Sequence, residues 1–266
     1  MFLEERQIKM LEYINAKKKV STKELSEEFK TSVVTIRKDI NDLAKKGLVI
    51  NVHGGVLALS DKLTLEIPSY AKAKQHIQEK KIIGKLAASM IEDNDVIILD
   101  SGSTTFEVGD AIGLKKVTVI TNDIKIGYSL ANKPNVTLVI PGGTVEHNLY
   151  TLCGIETINF IKNIRADKLF LGCDAIDFIN GITNRTLLEV GAKRAMIDVS
   201  KFVIAVADSS KHDKEVFAHL CRLDEIDVLA TDFISDPDRK LAEDAGVEVM
   251  TPTTSKSNAI LSGEDE

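Results

Sequence analysis

From residue 82 onward the chain repeats one pattern: a short run of β-branched and other apolar residues, a polar turn, then a helical segment. The runs fall at 96–99, 117–120, 136–140, 168–171, 202–207 and 226–230. Strands separated by helix-length segments cannot pair as hairpins. They pair side by side through crossovers, which gives an α/β domain with a mostly parallel sheet and helices on its faces. This domain is expected over 81–252. A chain of 266 residues divides into about two domains at ~150 residues each, so a second, smaller domain is expected ahead of it.

That leading stretch reads as three short helices and a hairpin. Leu3, Ile8, Leu11 and Ile14 lie about one turn apart, and Lys17, Lys18 and Lys19 stand where a helix dipole favours cations. Ser21 to Glu24 has the S-x-x-E form of a capping box, with Leu25 and Phe29 on the buried face of the helix it opens. Ser32 can cap the next helix, Ile36, Ile40 and Leu43 form its apolar stripe, and Gly47 is placed to stop it. Two helices so closely joined are a helix-turn-helix pattern, and strands at 48–50 and 56–57 around a Gly-containing turn add a wing. The expected organisation is a small α+β winged helix-turn-helix domain over 1–57, a linker or connecting helix over 58–80, the α/β domain, and a small polar, disordered tail over 253–266. Pro68 interrupts the linker, and Lys72, Lys74, Lys80 and Lys81 give it a solvated character.

The net charge of -6 argues against a nucleic-acid partner only until it is split. Residues 1–57 hold 11 lysines and arginines against 8 aspartates and glutamates, and the remainder 23 against 32, so a slightly basic head precedes an acidic body. No apolar run approaches the ~18 residues of a membrane span and the opening residues do not form an export signal, so a cytoplasmic protein without a membrane partner is expected. Cys153, Cys173 and Cys221 have neither disulfide-framework nor metal-ligand spacing and are expected as buried, reduced thiols; no metal or cofactor is expected. On the third helix Ser32, Thr35, Arg37 and Lys38 point away from the apolar stripe, with Asn41 and Asp42 beyond them. Hydroxyls and cations on one exposed face suit phosphate and base-edge contacts in a major groove; the same spacing also suits an ordinary solvated helix face.

In the body, the run 96–99 ends in Asp100-Ser101-Gly102-Ser103-Thr104-Thr105 and continues into a helix. Small hydroxyl residues around a glycine at the carboxyl end of a parallel strand suit an anion at a helix N-terminus, although a plain strand-to-helix turn has the same composition. Other strand ends carry Thr121-Asn122-Asp123, Pro141-Gly142-Gly143-Thr144, Gly172-Cys173-Asp174 and Asp208-Ser209-Ser210-Lys211. In an open α/β sheet the ligand crevice lies outside such ends, so these clusters can meet in one pocket. Asp208 can equally cap the turn that follows it, His212 is expected to face solvent, and His53 is expected to pack in the wing turn.

These residues together resemble the DeoR family of transcriptional regulators. The likeness runs through Val20 to Leu25, Ser32 to Ile40 and the Val52-His53-Gly54-Gly55 wing, then through D-S-G-S-T-T, T-N, G-G, G-C-D, Gly181-Ile182-Thr183, Ala192 to Met196 and D-S-S-K, covering roughly residues 1 to 250. Two positions depart from the family pattern: Lys38 and Asn51 stand where the family carries arginine, which keeps or loses charge and forfeits the bidentate guanidinium. The resemblance implies duplex operator DNA as one partner and a sensor domain similar in fold to ribose-5-phosphate isomerase, with a phosphorylated sugar or related metabolite as effector. Carried across, Ser101, Gly102, Ser103, Thr104 and Thr105 would hold phosphate, Asp100, Asn122, Gly143 and Asp174 would line the sugar side, and Lys211 would supply a cation. Lys193 reads either as a residue near this site or, the favoured reading, as an exposed helix lysine.

The leading function is therefore a DNA-binding regulator, a repressor of a sugar-utilisation operon in which a phosphosugar biases DNA affinity; it is not expected to be an enzyme. A homo-oligomer is expected, because one small reading module rarely supplies operator-level affinity. The alternative is a phosphosugar isomerase fused to a DNA-binding head, for which Asp174 and Asp177 would have to supply acid-base chemistry. A head that binds protein in place of DNA is disfavoured by the ordered helix and wing motifs.

Overall fold

The computed structural model describes residues 3–45, 48–52, 54–58, 72–73, 75–146 and 149–252, and the chain divides into two units, Met1–Ile67 and Pro68–Glu266. The readings placed on Gly47, His53, Pro68, Lys74 and the tail 253–266 lie outside the described residues.

The first unit is built from α1 (Leu3–Lys17), β1 (Lys19–Ser21), α2 (Thr22–Glu28), α3 (Val33–Lys45), β2 (Val49–Val52) and β3 (Gly55–Ala58). The hairpin of β2 and β3 gains a third antiparallel strand, β1, in the order β1-β3-β2. Three residues between two helices give no periodic signal, which is why this strand escapes a reading by pattern. Met10 and Ile14 of α1, Leu25 of α2, Ile36, Ile40 and Leu43 of α3 and Val56 of the wing share one core. Ile8 is only partly buried, so the stripe of α1 is centred on Met10 and Ile14. Ser21 caps α2 by accepting the Glu24 amide at 3.1 Å, but the Glu24 carboxylate takes the Tyr13 hydroxyl and the Lys17 ammonium, so only half of the capping box forms. Ser32 accepts the Thr35 amide at 3.2 Å and opens α3.

The turn of α3 about its own axis is fixed by a buried ion pair. Asp39 is fully buried and receives Arg6 Nε at 2.6 Å and Nη2 at 3.3 Å, with Gln7 Nε2 at 3.5 Å. Both carboxylate oxygens are engaged by α1, so the neighbours of Asp39, Arg37 and Lys38, are left on the exposed side of α3.

The second unit carries a seven-stranded sheet in which every neighbouring pair is parallel. Its strands are β4 (Val96–Leu99), β5 (Val117–Thr121), β6 (Val136–Val139), β9 (Ala166–Leu171), β12 (Ser200–Val206), β14 (Val228–Ala230) and β15 (Glu248–Met250), in the order β15-β14-β12-β9-β4-β5-β6. All six expected runs lie in it; β15, three residues at the edge, joins them. Side chains alternate between two cores. Ile98, Leu169, Leu171, Val203 and Ala205 face one way, toward Ala192, Ala195 and Met196 of the helix Leu187–Val199 (α8, which follows α6 at Ile124–Leu130 and α7 at Ile155–Lys162). Ile97, Leu99, Phe170, Ile204 and Val206 face the other, toward Ile83 of the helix Ile77–Ala88 (α4) and Val108 of the helix Ser103–Asp110 (α5). A sheet buried on both faces needs apolar residues at successive positions, which explains why these strands read as continuous apolar runs. The close approach of α4 to α5 requires Gly84, where a Cβ would lie 2.6 Å from the Glu107 carbonyl carbon. A small antiparallel sheet of β10 (Ala175–Asp177), β11 (Gly181–Asn184) and β13 (Ala218–Cys221), and a hairpin of β7 (Thr144–Glu146) and β8 (Thr151–Cys153), complete the described strands.

Candidate functional site

Chain direction across the large sheet fixes where a crevice opens. From β4 the chain moves outward through β5 and β6, then returns to place β9 on the other side of β4 and continues outward through β12 and β14. At such a reversal the connections leaving two adjacent strands diverge, and a cleft remains outside their carboxyl ends. A cleft of about 600 Å³, its open mouth included, lies there. It is lined by Ser101 to Thr104 after β4, Gly172 to Asp174 after β9, and Ala207, Asp208, Ser210 and Lys211 after β12. Asn184, Glu189 and Lys193 form a further wall, and Lys72, Gln75, His76 and Lys80 another.

Of the effector residues expected from the sequence, Ser101, Gly102, Ser103, Thr104, Asp174 and Lys211 line this cleft; Asp100, Thr105, Asn122 and Gly143 do not. The Ser101 hydroxyl donates to Asp123 Oδ2 at 3.1 Å and sits against Thr151 Oγ1, while Thr105 Oγ1 donates to the Gly102 carbonyl at 2.9 Å inside the turn. Asn122 is buried and gives its amide to the Leu152 carbonyl. Gly143 has φ 148° and packs against Thr157 and Cys153, which explains a glycine there without a ligand. The Ser103 and Thr104 hydroxyls have no hydrogen-bond partner among the described residues, and they stand at the N-terminus of α5, where backbone N–H groups attract anions.

The turn that presents Lys211 is held from two sides. Asp208 accepts the Ser210 amide at 3.2 Å and the Ser210 hydroxyl, capping the 3₁₀ turn Ser209–Lys211, and Asp232 accepts the Ser209 amide at 2.7 Å and its hydroxyl at 3.0 Å. Lys211 makes no ion pair among the described residues. Lys80, expected to be solvated, is 3% exposed; its ammonium donates to the carbonyls of Lys72 at 2.5 Å and Gln75 at 2.6 Å. Burial pushes its pKa down to about 8, a shift that the Lys211 and Lys72 charges deepen and the Asp208 carboxylate opposes.

Two further expectations are corrected. Lys193 is not an exposed helix lysine: it is 2% exposed and pairs with the fully buried Asp100, also donating to the Gly172 carbonyl at 3.0 Å. Burial works against its charge, but the carboxylates of Asp100 and Glu189 outweigh that and raise its pKa. It lies on the face of α8 that carries Ala192 and Met196, so its stem packs inward and its head reaches the strand ends. His212 is buried, edge-on to Phe178 with ring centroids 5.3 Å apart, and burial lowers its pKa. The three cysteines are free thiols, and burial pushes Cys153 up to about 11 and Cys173 and Cys221 up to about 12. Among the described residues no cluster of histidine, cysteine and carboxylate side chains could hold a metal, and no helix is long and apolar enough to cross a membrane.

In the first unit, Arg37 and Lys38 are exposed on α3, and the Ser32 and Thr35 hydroxyls lie 2.9 Å apart at its N-terminus. Asn51, in the wing, donates to Asn41 of α3 at 2.6 Å, which ties the wing strand to the helix.

Residues 6–62 match a family model described as a DeoR-like helix-turn-helix domain, and residues 75–233 match the DeoR C terminal sensor domain. The HTH-type transcriptional regulator GolR of Listeria innocua is 32% identical over 94% of this chain and 98% of its own. The glycerol-3-phosphate regulon repressor of Escherichia coli is 28% identical over 84% of this chain and 88% of its own. Among solved structures, ribose 5 phosphate isomerase A from Neisseria gonorrhoeae is similar at 19% identity, covering 51% of this chain and 53% of that one with a TM-score of 0.38.

Removing one partner of a buried pair leaves an uncompensated charge, a loss of about 3–5 kcal/mol. Lys193→Met is therefore expected to lower unfolding stability by that order in urea titrations, and Asp100→Asn combined with it to recover part of the loss. Equal stability of Lys193→Met and the parent would contradict the pairing.

Proposed function

The chain belongs to the DeoR family of transcriptional regulators, and from that premise we propose that it is a repressor whose helix-turn-helix unit grips operator DNA through Ser32, Thr35, Arg37 and Lys38, released or engaged by a phosphorylated sugar or related small metabolite in the cleft. The observation that carries the effector half is the meeting of two open hydroxyls, Ser103 and Thr104, at the N-terminus of α5 with Lys211, a lysine without an ion pair among the described residues. Charge-assisted bonds from such donors select a compact anion. The relatives are regulators, and the E. coli one bears a phosphorylated polyol in its name, which supports the same ligand class here. The isomerase alternative requires a base, and the two carboxylates read for it are engaged: Asp174 with Lys72, and Asp177 with the amides of Ile179 and Asn180 at 2.9 and 2.7 Å. Regulation requires that the ligand bind the DNA-competent and DNA-incompetent states with different affinity.

The two halves separate by mutation. Arg37→Ala with Lys38→Ala should weaken operator binding and reduce its salt dependence by about one ion per lost phosphate contact, leaving thermal stabilisation by phosphosugars unchanged. Ser103→Ala or Lys211→Ala should weaken a stabilising phosphosugar roughly ten-fold and leave ligand-free DNA binding intact. Fluorescence anisotropy and thermal shift read the two, and a variant pair that moves both together sinks the division of labour.

A homo-oligomer engaging repeated half-sites accounts for operator-level affinity from so small a reading unit. Sedimentation at micromolar concentration should return more than one chain per particle; a monomer with full operator affinity contradicts this.

Lys80 gives the ligand half a pH signature. An anion binds the protonated cleft better, so it raises the Lys80 pKa from about 8, and affinity should level off below that pH and fall as pH rises through it, by up to about ten-fold per unit. Calorimetry from pH 7 to 9.5 should show the fall in the parent and a flatter profile in Lys80→Met. A parent profile without slope would remove Lys80 from the anion site.

A further inference from the structure

The family resemblance places Asp174 on the sugar side with Asp100, Asn122 and Gly143, and of these four only Asp174 lines the cleft, but its oxygens are engaged. Oδ1 takes Lys72 Nζ at 2.8 Å, and Oδ2 takes the Arg185 amide at 3.0 Å and Asn184 Nδ2 at 3.5 Å. Burial opposes its charge, but Lys72, Lys211 and the Arg185 amide outweigh that and hold the carboxyl well below the usual range. The neighbouring Asn184 ends β11, where it pairs with Ala218 of β13, and is 2% exposed while lining the cleft. A carboxylate only accepts, so the amide nitrogen of Asn184 must face Asp174 and the carbonyl oxygen is turned away from it. That oxygen, Oδ1, is buried without a hydrogen-bond partner. Among the described residues three other buried side-chain atoms share that condition, on Asp100, Asn122 and Arg185, and none of those residues lines the cleft.

An unmet buried acceptor is unfavourable in the free protein and becomes a source of selectivity when a ligand meets it. Resting on the phosphate reading of the cleft, we propose that Asn184 is its specificity residue: Oδ1 accepts a hydrogen bond from a ligand hydroxyl, so the cleft takes hydroxylated monophosphates and discriminates against a phosphate ester without one. The phosphate is held at Ser103, Thr104 and Lys211, and the hydroxyl-bearing carbons extend toward the wall of β11. Glu189 and Lys193 stand on the same wall. Cys173 is a weaker acceptor than an amide oxygen, since burial pushes its thiol up to about 12 and a protonated thiol accepts poorly.

The test is calorimetric titration of the full chain with glycerol 3-phosphate, ribose 5-phosphate, fructose 6-phosphate, propyl phosphate and inorganic phosphate. At least one hydroxylated ester should bind about ten-fold more tightly than propyl phosphate, as a hydrogen bond lost to a dedicated acceptor predicts. Asn184→Ala should bring that ester down to the level of propyl phosphate, leave propyl phosphate and inorganic phosphate within about two-fold, and leave the thermal midpoint of the free protein unlowered. Asn184→Ser, a smaller polar residue in the same strand pairing, serves if the alanine variant does not fold. An equal loss for every phosphate, or no loss for any, overturns the assignment. If the parent binds propyl phosphate as tightly as every hydroxylated ester, the phosphate reading stands and Asn184 is not the reader; if the parent binds no phosphate at all, the phosphate reading falls and this inference with it.

Discussion

The ion pair between Asp100 and Lys193 organises the second unit. Asp100 closes β4, receives the Gly172 amide at 2.9 Å from the end of β9, and accepts the ammonium that α8 delivers, so one carboxylate joins two adjacent strand ends to a helix of the layer covering them. Burying two charges costs several kcal/mol per ion before they are paired, and the Gly172 amide and carbonyl add hydrogen bonds to Asp100 Oδ2 and the Lys193 ammonium. With that corner fixed, the hydroxyls of Ser103 and Thr104 stand at the N-terminus of α5 beside the turn that carries Lys211. The proposed anion site is thereby arranged in the free protein, which lowers the ordering cost of binding there.

The first unit solves a similar problem with Arg6 and Asp39. There the pair sets which face of α3 is buried rather than the floor of a cleft, and the cations next to Asp39 are displayed as a consequence. Lys38 offers a phosphate a point charge where the family's arginine offers a planar fork. Asn51, in place of the family's wing arginine, spends its amide on Asn41, so this wing contributes rigidity at a position where the family contributes charge.

The cleft wall that the sequence hid most completely is the one formed by Lys72, Gln75, His76 and Lys80. A lysine-rich stretch next to a proline reads as solvated linker, because hydropathy registers the charge and not the four-carbon stem that can be buried beneath it. The ammonium of Lys80 is satisfied by two carbonyls close to it in the chain, an arrangement without a side-chain pattern. Lys193 had a legible signal: it follows Glu189 by four residues and precedes Met196 by three, which places it on the buried stripe of α8. For His212 there was no such signal, since its burial depends on Phe178 from a different segment.

By itself the sequence determined what local periodicity and short motifs can carry. The apolar runs fixed the strands of a two-faced parallel sheet, because burial on both sides leaves no polar alternation. The stripe Ile36, Ile40, Leu43 and the Ser32 cap fixed α3, and the hydroxyl run after β4 fixed the turn that opens α5. The tertiary structure alone decided which of those hydroxyls and carboxylates remain open. Ser101 and Thr105 carry the same hydroxyl as Ser103 and Thr104, and Asp174 offers acceptor oxygens as Asn184 does, yet Ser101, Thr105 and Asp174 are engaged by Asp123, Gly102 and Lys72 while the others keep an unmet donor or acceptor. Two of those three partners lie 22 and 102 residues away. A hydrogen bond saturates its atoms one contact at a time, and which contact comes first is settled by how distant segments pack.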